Sequence, residues 1–143
     1  MKSALHYWIH RGLTLMSGNY LVDTNVIILL LRGDARAVEL FNQADNIFVP
    51  SIVAGELFYG AQNSSRKQEN RKIFLDFLSQ YEIVGVDFLV AQEYGEIKSQ
   101  LKGCGVTIPE NDLWIAAVAK SKQYTLISFD GHFTKINGLQ VVS

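Results

Sequence analysis

A single cysteine, Cys104, is all the chain has in 143 residues. No internal disulfide can form, which suits a reducing compartment. No apolar run reaches the ~18 residues that cross a bilayer. No GxGxxG follows a strand-like run, and there is no Walker A or HExxH pattern. Dinucleotide binding, P-loop chemistry and zinc-protease chemistry therefore have no motif to carry them. Charge is also scarce: 13 Lys and Arg meet 14 Asp and Glu, a formal net charge of -1. That balance argues against nucleic-acid affinity by bulk charge alone. If four acids faced a cation, the remaining surface would be weakly basic.

The opening MKSALHYWIHRGLTLM mixes a lysine with apolar residues, as an export signal does. His6, His10 and Arg11 interrupt its apolar stretch, and no small-x-small cleavage site follows. The protein is read as unexported and cytoplasmic, with residues 1–16 an N-terminal extension and 17–143 the folded domain.

Hydrophobic residues at 48% and charged residues at 19% describe a chain able to bury one core. Short strands are expected at 19–22, 46–49, 82–86, 125–129 and 139–142. Helices are expected at 25–31, 35–43, 52–61, 64–78, 88–101 and 109–122. This alternation predicts an α/β domain with a mainly parallel sheet of about five short strands and helices on both faces. No internal repeat or low-complexity segment is present. In such sheets the ligand site lies beyond the carboxyl ends of the strands, where strand order reverses.

Four acids belong near that end. Asp23 follows the first strand, Asp130 follows the strand in LISFDGHF, Asp112 opens the helix of IPENDLWIAAVA, and Glu56 lies in SIVAGELFYG after the second strand. Each has a plainer role available. Asp23 suits a helix cap, Asp112 a first-turn acid, and Asp130 an Asp-Gly turn. Glu56 is harder to dismiss, because a lone carboxylate in an apolar helix is costly to bury. Four carboxylates together repel and raise one another's pKa, and a divalent cation relieves that. Oxygen ligands suit Mg²⁺ or Mn²⁺ better than zinc. Such a site suits attack of water on a phosphodiester. His132 is read as surface decoration, and the Arg66-Lys67 and Arg71-Lys72 pairs as a solvated helix face.

The pieces LVDTNVII (21–28), SIVAGELFYG (51–60), IPENDLWIAAVA (108–119) and LISFDGHFTKINGLQVV (126–142) occur in an order that resembles the PIN domain, and within it the VapC-type toxins of bacterial toxin–antitoxin pairs. The resemblance covers roughly residues 19–142. It implies a PIN-like three-layer α/β/α fold and a Mg²⁺-dependent endoribonuclease, with Mn²⁺ as a substitute. The acidic quartet falls on Asp23, Glu56, Asp112 and Asp130, all as metal-binding and catalytic residues. Polar neighbours fall on Thr24 or Asn25 and on Ser128, and Glu110 is an additional peripheral acid. Phe129 stands where the family usually has a basic residue. The resemblance further implies an RNA substrate, a homodimer and a small VapB-type antitoxin. The helices carrying Ile27–Leu31 and Phe74–Leu78 are expected to leave apolar surface for an interface.

Two rival functions are weaker. A PIN-like module that binds RNA or protein without catalysis would have no use for an intact quartet. A phospho-acceptor receiver domain needs an adjacent acid pair after its first strand and a lysine after its last. DTN has one acid, and the last strand runs to the chain end.

Overall fold

The computed structural model describes residues 16–143; of the expected N-terminal extension, residues 1–15 fall outside that range, whereas Met16 opens the first strand. The elements run β1 (Met16–Val22), α1 (Thr24–Leu31), α2 (Ala35–Gln43), β2 (Ala44–Pro50), α3 (Ser51–Gln62), α4 (Lys67–Leu78), β3 (Glu82–Val84), α5 (Phe88–Gly103), α6 (Glu110–Lys122), β4 (Thr125–Ile127), a 3₁₀ turn (Gly131–Lys135) and β5 (Val141–Val142). The five strands form one sheet in the order β3-β2-β1-β4-β5, and every pairing is parallel. Helices flank the sheet, giving the expected three-layer α/β/α architecture.

β1 is the central strand, and Tyr20, Leu21 and Val22 are buried in it. A strand covered on both faces reads as a continuous apolar run, which is why YLV signals it in the sequence. Pairing starts earlier than expected, with Met16 opposite Ala44. Gly18, at φ +101°, sits where the register shifts and lets the strand resume at Asn19. The chain builds outward from β1 through β2 to β3, then returns to the other side of β1 for β4. That reversal opens a crevice beyond the ends of β1 and β4.

α6 is the central helix of one layer. Leu113, Ile115, Ala116, Ala117, Val118 and Ala119 are all buried, so it is covered nearly all round. The small alanines allow close approach of the sheet and of α5. α5 buries only the stripe Val90, Ile97 and Leu101, as a helix with one solvated face should. Asp87 caps α5 by accepting from the Val90 amide at 3.0 Å and also meets Lys122 of α6 at 2.6 Å.

Element ends depart from expectation in places. α4 starts at Lys67, because the Ser64 hydroxyl donates to the Ala61 carbonyl and accepts from Asn70, holding a turn. β4 and β5 are shorter than expected, though the Ser128 amide still donates to the Val142 carbonyl at 3.1 Å. The apolar surface expected on α1 is mostly covered, with Val26, Ile27 and Leu30 buried. On α4, the other helix expected to expose apolar surface, Ile73 and Leu75 are exposed while Phe77 and Leu78 are buried; Tyr59 and, around the edge strand β3, Ile83, Val86, Phe88 and Leu89 are exposed as well. Among the described residues no helix is long and apolar enough to cross a membrane.

Candidate metal centre

Asp23 leaves β1 with its amide still bonded to the Ile127 carbonyl of β4, at 3.1 Å. The residue is 5% exposed. One oxygen accepts from the Thr24 amide at 2.8 Å, and the other accepts from the buried Ser128 hydroxyl at 2.9 Å. Ser128 in turn accepts from the Asp130 amide at 3.0 Å. A single hydroxyl thus ties the exit of β1 to the exit of β4.

Glu56 reaches the same end from α3. The Thr24 hydroxyl donates to it at 3.0 Å, and the nearby Asn111 side chain acts to lower its carboxyl. Asp112, third residue of α6, is 15% exposed at its side chain. Asp130 caps the 3₁₀ turn by accepting from the His132 amide at 2.9 Å. The His132 ring follows that amide inward, and its Nδ1 lies 3.1 Å from Asp130 Oδ1 and 3.4 Å from Asp112 Oδ2.

All four expected acids therefore meet at one end of the sheet, and Asp112 feels the charge of the other three. Burial, and after it the charge of Asp23, pushes the Asp112 carboxyl up to about 6; His132 opposes this, while Asp130 and Glu56 add to it. Burial raises Asp23 despite the hydrogen bonds from Ser128 and Thr24, with Asp130 adding to the rise. Burial raises Glu56 too, and the charge of Asp23 adds to that. Carboxylates pushed upward by one another are short of positive charge. A divalent cation supplies it, and the donors fit one: ligand atoms of Asp112, Asp130 and His132 all lie within 4.8 Å of one another.

Several expectations need correction. Glu110 is not part of the cluster; it accepts from the Tyr94 hydroxyl and pairs with Lys98 at 3.4 Å. Two residues along a helix turn the side chain by roughly 200°, so Glu110 and Asp112 face opposite ways. Of the pair Thr24 and Asn25, Thr24 bonds a site acid, whereas Asn25 is exposed. His132 is not surface decoration, since it faces two of the acids. Its signal was the Asp-x-His spacing in a turn whose next residue, Phe133, is fully buried. Asn111 went unnoticed altogether. At Phe129, where the resemblance places a basic residue, the Arg36 guanidinium lies 4.5 Å from the centre of the ring. The Arg66 and Lys72 side chains pair locally with Glu69 and Asp76, as on a solvated face.

Fold and site together define a parallel α/β domain with a carboxylate cluster at the reversal of strand order. Residues 20–139 match the PIN domain family, and the chain belongs to it. Ribonuclease VapC2 of Haemophilus influenzae is 38% identical over 111 residues, covering 76% of this chain and 84% of that protein. The tRNA(fMet)-specific endonuclease VapC of Shigella flexneri is 26% identical over 124 residues, covering 85% and 94%. The fold is also similar to a chain in the crystal structure of VapBC2 from Rickettsia felis bound to a DNA fragment from their promoter. The TM-score there is 0.78 at 29% identity, covering 87% of this chain and 98% of that one.

Proposed function

We propose that this PIN-domain protein is a Mg²⁺-dependent endoribonuclease, also able to use Mn²⁺, and the toxin of a VapBC-type toxin–antitoxin pair. The observation that carries this reading is the convergence of Asp23, Glu56, Asp112 and Asp130 on one crevice, where the raised carboxyls of Asp23, Glu56 and Asp112 call for a cation. Asp23 and Asp112 would hold it directly, and Glu56 and Asp130 directly or through water. A cation bound there would supply Lewis acidity to a phosphodiester and make a neighbouring water more acidic. The chain prepares the donors in advance: Ser128 orients Asp23, and Thr24 orients Glu56. Relatives named VapC ribonucleases support RNA as substrate, and transfer RNA is the first to assay, given the activity named for the Shigella flexneri protein. A small VapB-type antitoxin is the proposed partner, after the VapBC2 complex of Rickettsia felis. A homodimer is the proposed assembly, with the apolar side chains around β3 available to it. Purified protein should cleave RNA with Mg²⁺ or Mn²⁺ and stop with EDTA; cleavage that survives chelation would sink the reading.

An acidic crevice repels RNA, so a cation on its rim matters. Arg36 is exposed and has no carboxylate within salt-bridge distance among the described residues, so its guanidinium donors remain free for a phosphate while its face rests on Phe129. Arg36→Ala should raise KM for RNA about three- to tenfold while kcat changes little, consistent with a lost exposed charge contact of ~1 kcal/mol. Steady-state kinetics at two salt concentrations check this. An unchanged KM would leave Arg36 a surface residue.

A further inference from the structure

His132 enters the acidic cluster from a backbone that cannot easily move. The 3₁₀ turn is pinned at its start by the bond from the His132 amide to Asp130, and Phe133 beside it is fully buried. The imidazole is itself 42% exposed, so filling the core does not explain its place. What it touches are two carboxylates of the cluster, at 3.1 and 3.4 Å, both through Nδ1. Two donors bound at right angles to one ion, each at ~2.1 Å, are separated by about 3.0 Å. The observed separations are those of an imidazole hydrogen-bonded to two carboxylates, and they also place the three donors where a shared cation could take all of them.

We propose that His132 Nδ1 is a nitrogen ligand to the divalent cation held by Asp112 and Asp130, and that it shifts the centre's preference from Mg²⁺ toward Mn²⁺ and later first-row ions. The inference rests on the cation-site reading given above and refines it. Mg²⁺ prefers oxygen donors and gives up its water reluctantly. Imidazole is a softer donor whose bonds strengthen along the first-row series, so replacing one oxygen by nitrogen favours the transition ion. A set of carboxylates alone would lack this bias.

The test measures binding, not turnover. Mn²⁺ affinity is read from the free-ion electron paramagnetic resonance signal, Mg²⁺ affinity by competition, and the ligand atom by pulsed resonance on the Mn²⁺-loaded protein. The wild type should show modulation from an imidazole nitrogen. His132→Gln should lose that modulation and weaken Mn²⁺ by about tenfold, while Mg²⁺ affinity changes less than about threefold. His132→Asp, which restores an oxygen donor, should recover cation binding with the Mn²⁺ preference gone and no nitrogen coupling. Wild-type protein without nitrogen coupling, or His132→Gln with an unchanged Mn²⁺-to-Mg²⁺ ratio, overturns the role of His132. Asp112→Asn separates the two levels. If it loses Mn²⁺ binding, the acidic site stands whatever His132 does; if it binds Mn²⁺ as the wild type does, the cation site itself fails.

Discussion

Asp112→Asn is expected to abolish RNA cleavage and, at the same time, to make the metal-free protein more stable above pH 6. The loss of activity should reach ~100-fold or more, the size implied by several kcal/mol of lost Lewis-acid stabilisation. The gain in stability follows from the raised carboxyl. Asp112 titrates at about 6 in the fold against 3.8 in a free chain. Well below pH 3.8 both states are protonated, and the group contributes nothing to stability. As pH rises toward 6 the unfolded chain loses its proton first, so stability falls. Above 6 the full penalty persists. At ~1.4 kcal/mol per pH unit the ceiling is on the order of 3 kcal/mol, and solvent screening at this partly exposed carboxyl brings it to ~1–2 kcal/mol. Asparagine has the same shape and no such penalty. In EDTA at pH 7.5 the variant should melt several degrees above the wild type, and near pH ~3 the two should coincide. Added Mg²⁺ should raise the wild type by binding its folded state and should raise the variant far less. A variant that melts below the wild type in EDTA at pH 7.5, or that still cleaves, would contradict the proposed role of Asp112.

Which parts of this site were legible in the sequence follows from how far each signal reaches along the chain. Asp23, Asp130 and Glu56 stand just after strands or in the helix that follows one, and Asp112 opens a helix. In a parallel sheet those positions all come to one end, so topology alone brings them together. Buried strands such as Tyr20–Val22 are short apolar runs and were visible, while their ends were not, because a ladder continues wherever a backbone partner is present. Met16 pairs with Ala44 for that reason, although neither side chain announces it. Glu110 misled because proximity in sequence is not proximity on a helix. His132 was hidden by its setting: a 3₁₀ turn has a tighter spacing than the periodicities that mark helices and strands. Arg36 on Phe129 joins residues far apart in the chain, and nothing local in either segment reports the pair. The apolar run in α1 suggested an interface, yet its side chains fill space inside one molecule.

Asp23→Asn should remove cleavage by ~100-fold or more while leaving the melting temperature in EDTA no lower than that of the wild type. The competing explanation for Asp23 is helix capping, and the geometry separates the two. A capping side chain accepts from the second or third amide of its helix. Asp34 does so, bonding the amides of Arg36 and Ala37 at 3.1 and 3.0 Å. Asp23 bonds only the first amide, that of Thr24, and gives its other oxygen to Ser128. Its position thus suits holding two oxygens in a fixed direction more than closing a helix. Asparagine keeps an acceptor for Thr24 and a polar atom for Ser128, so the shape survives. What goes is a buried charge whose carboxyl is raised by burial and by Asp130. Removing it relieves repulsion within the cluster, which offsets the weakened bond to Ser128. Asp34→Ala supplies the contrast: it should lose ~1 kcal/mol of stability and keep its cleavage, as a cap does. Melts of both variants with and without Mg²⁺, beside an RNA cleavage assay, decide the matter. If Asp23→Asn retained cleavage and the full stabilisation by Mg²⁺, Asp23 would be a cap like Asp34, and the centre proposed for this crevice would lose its most deeply buried carboxylate.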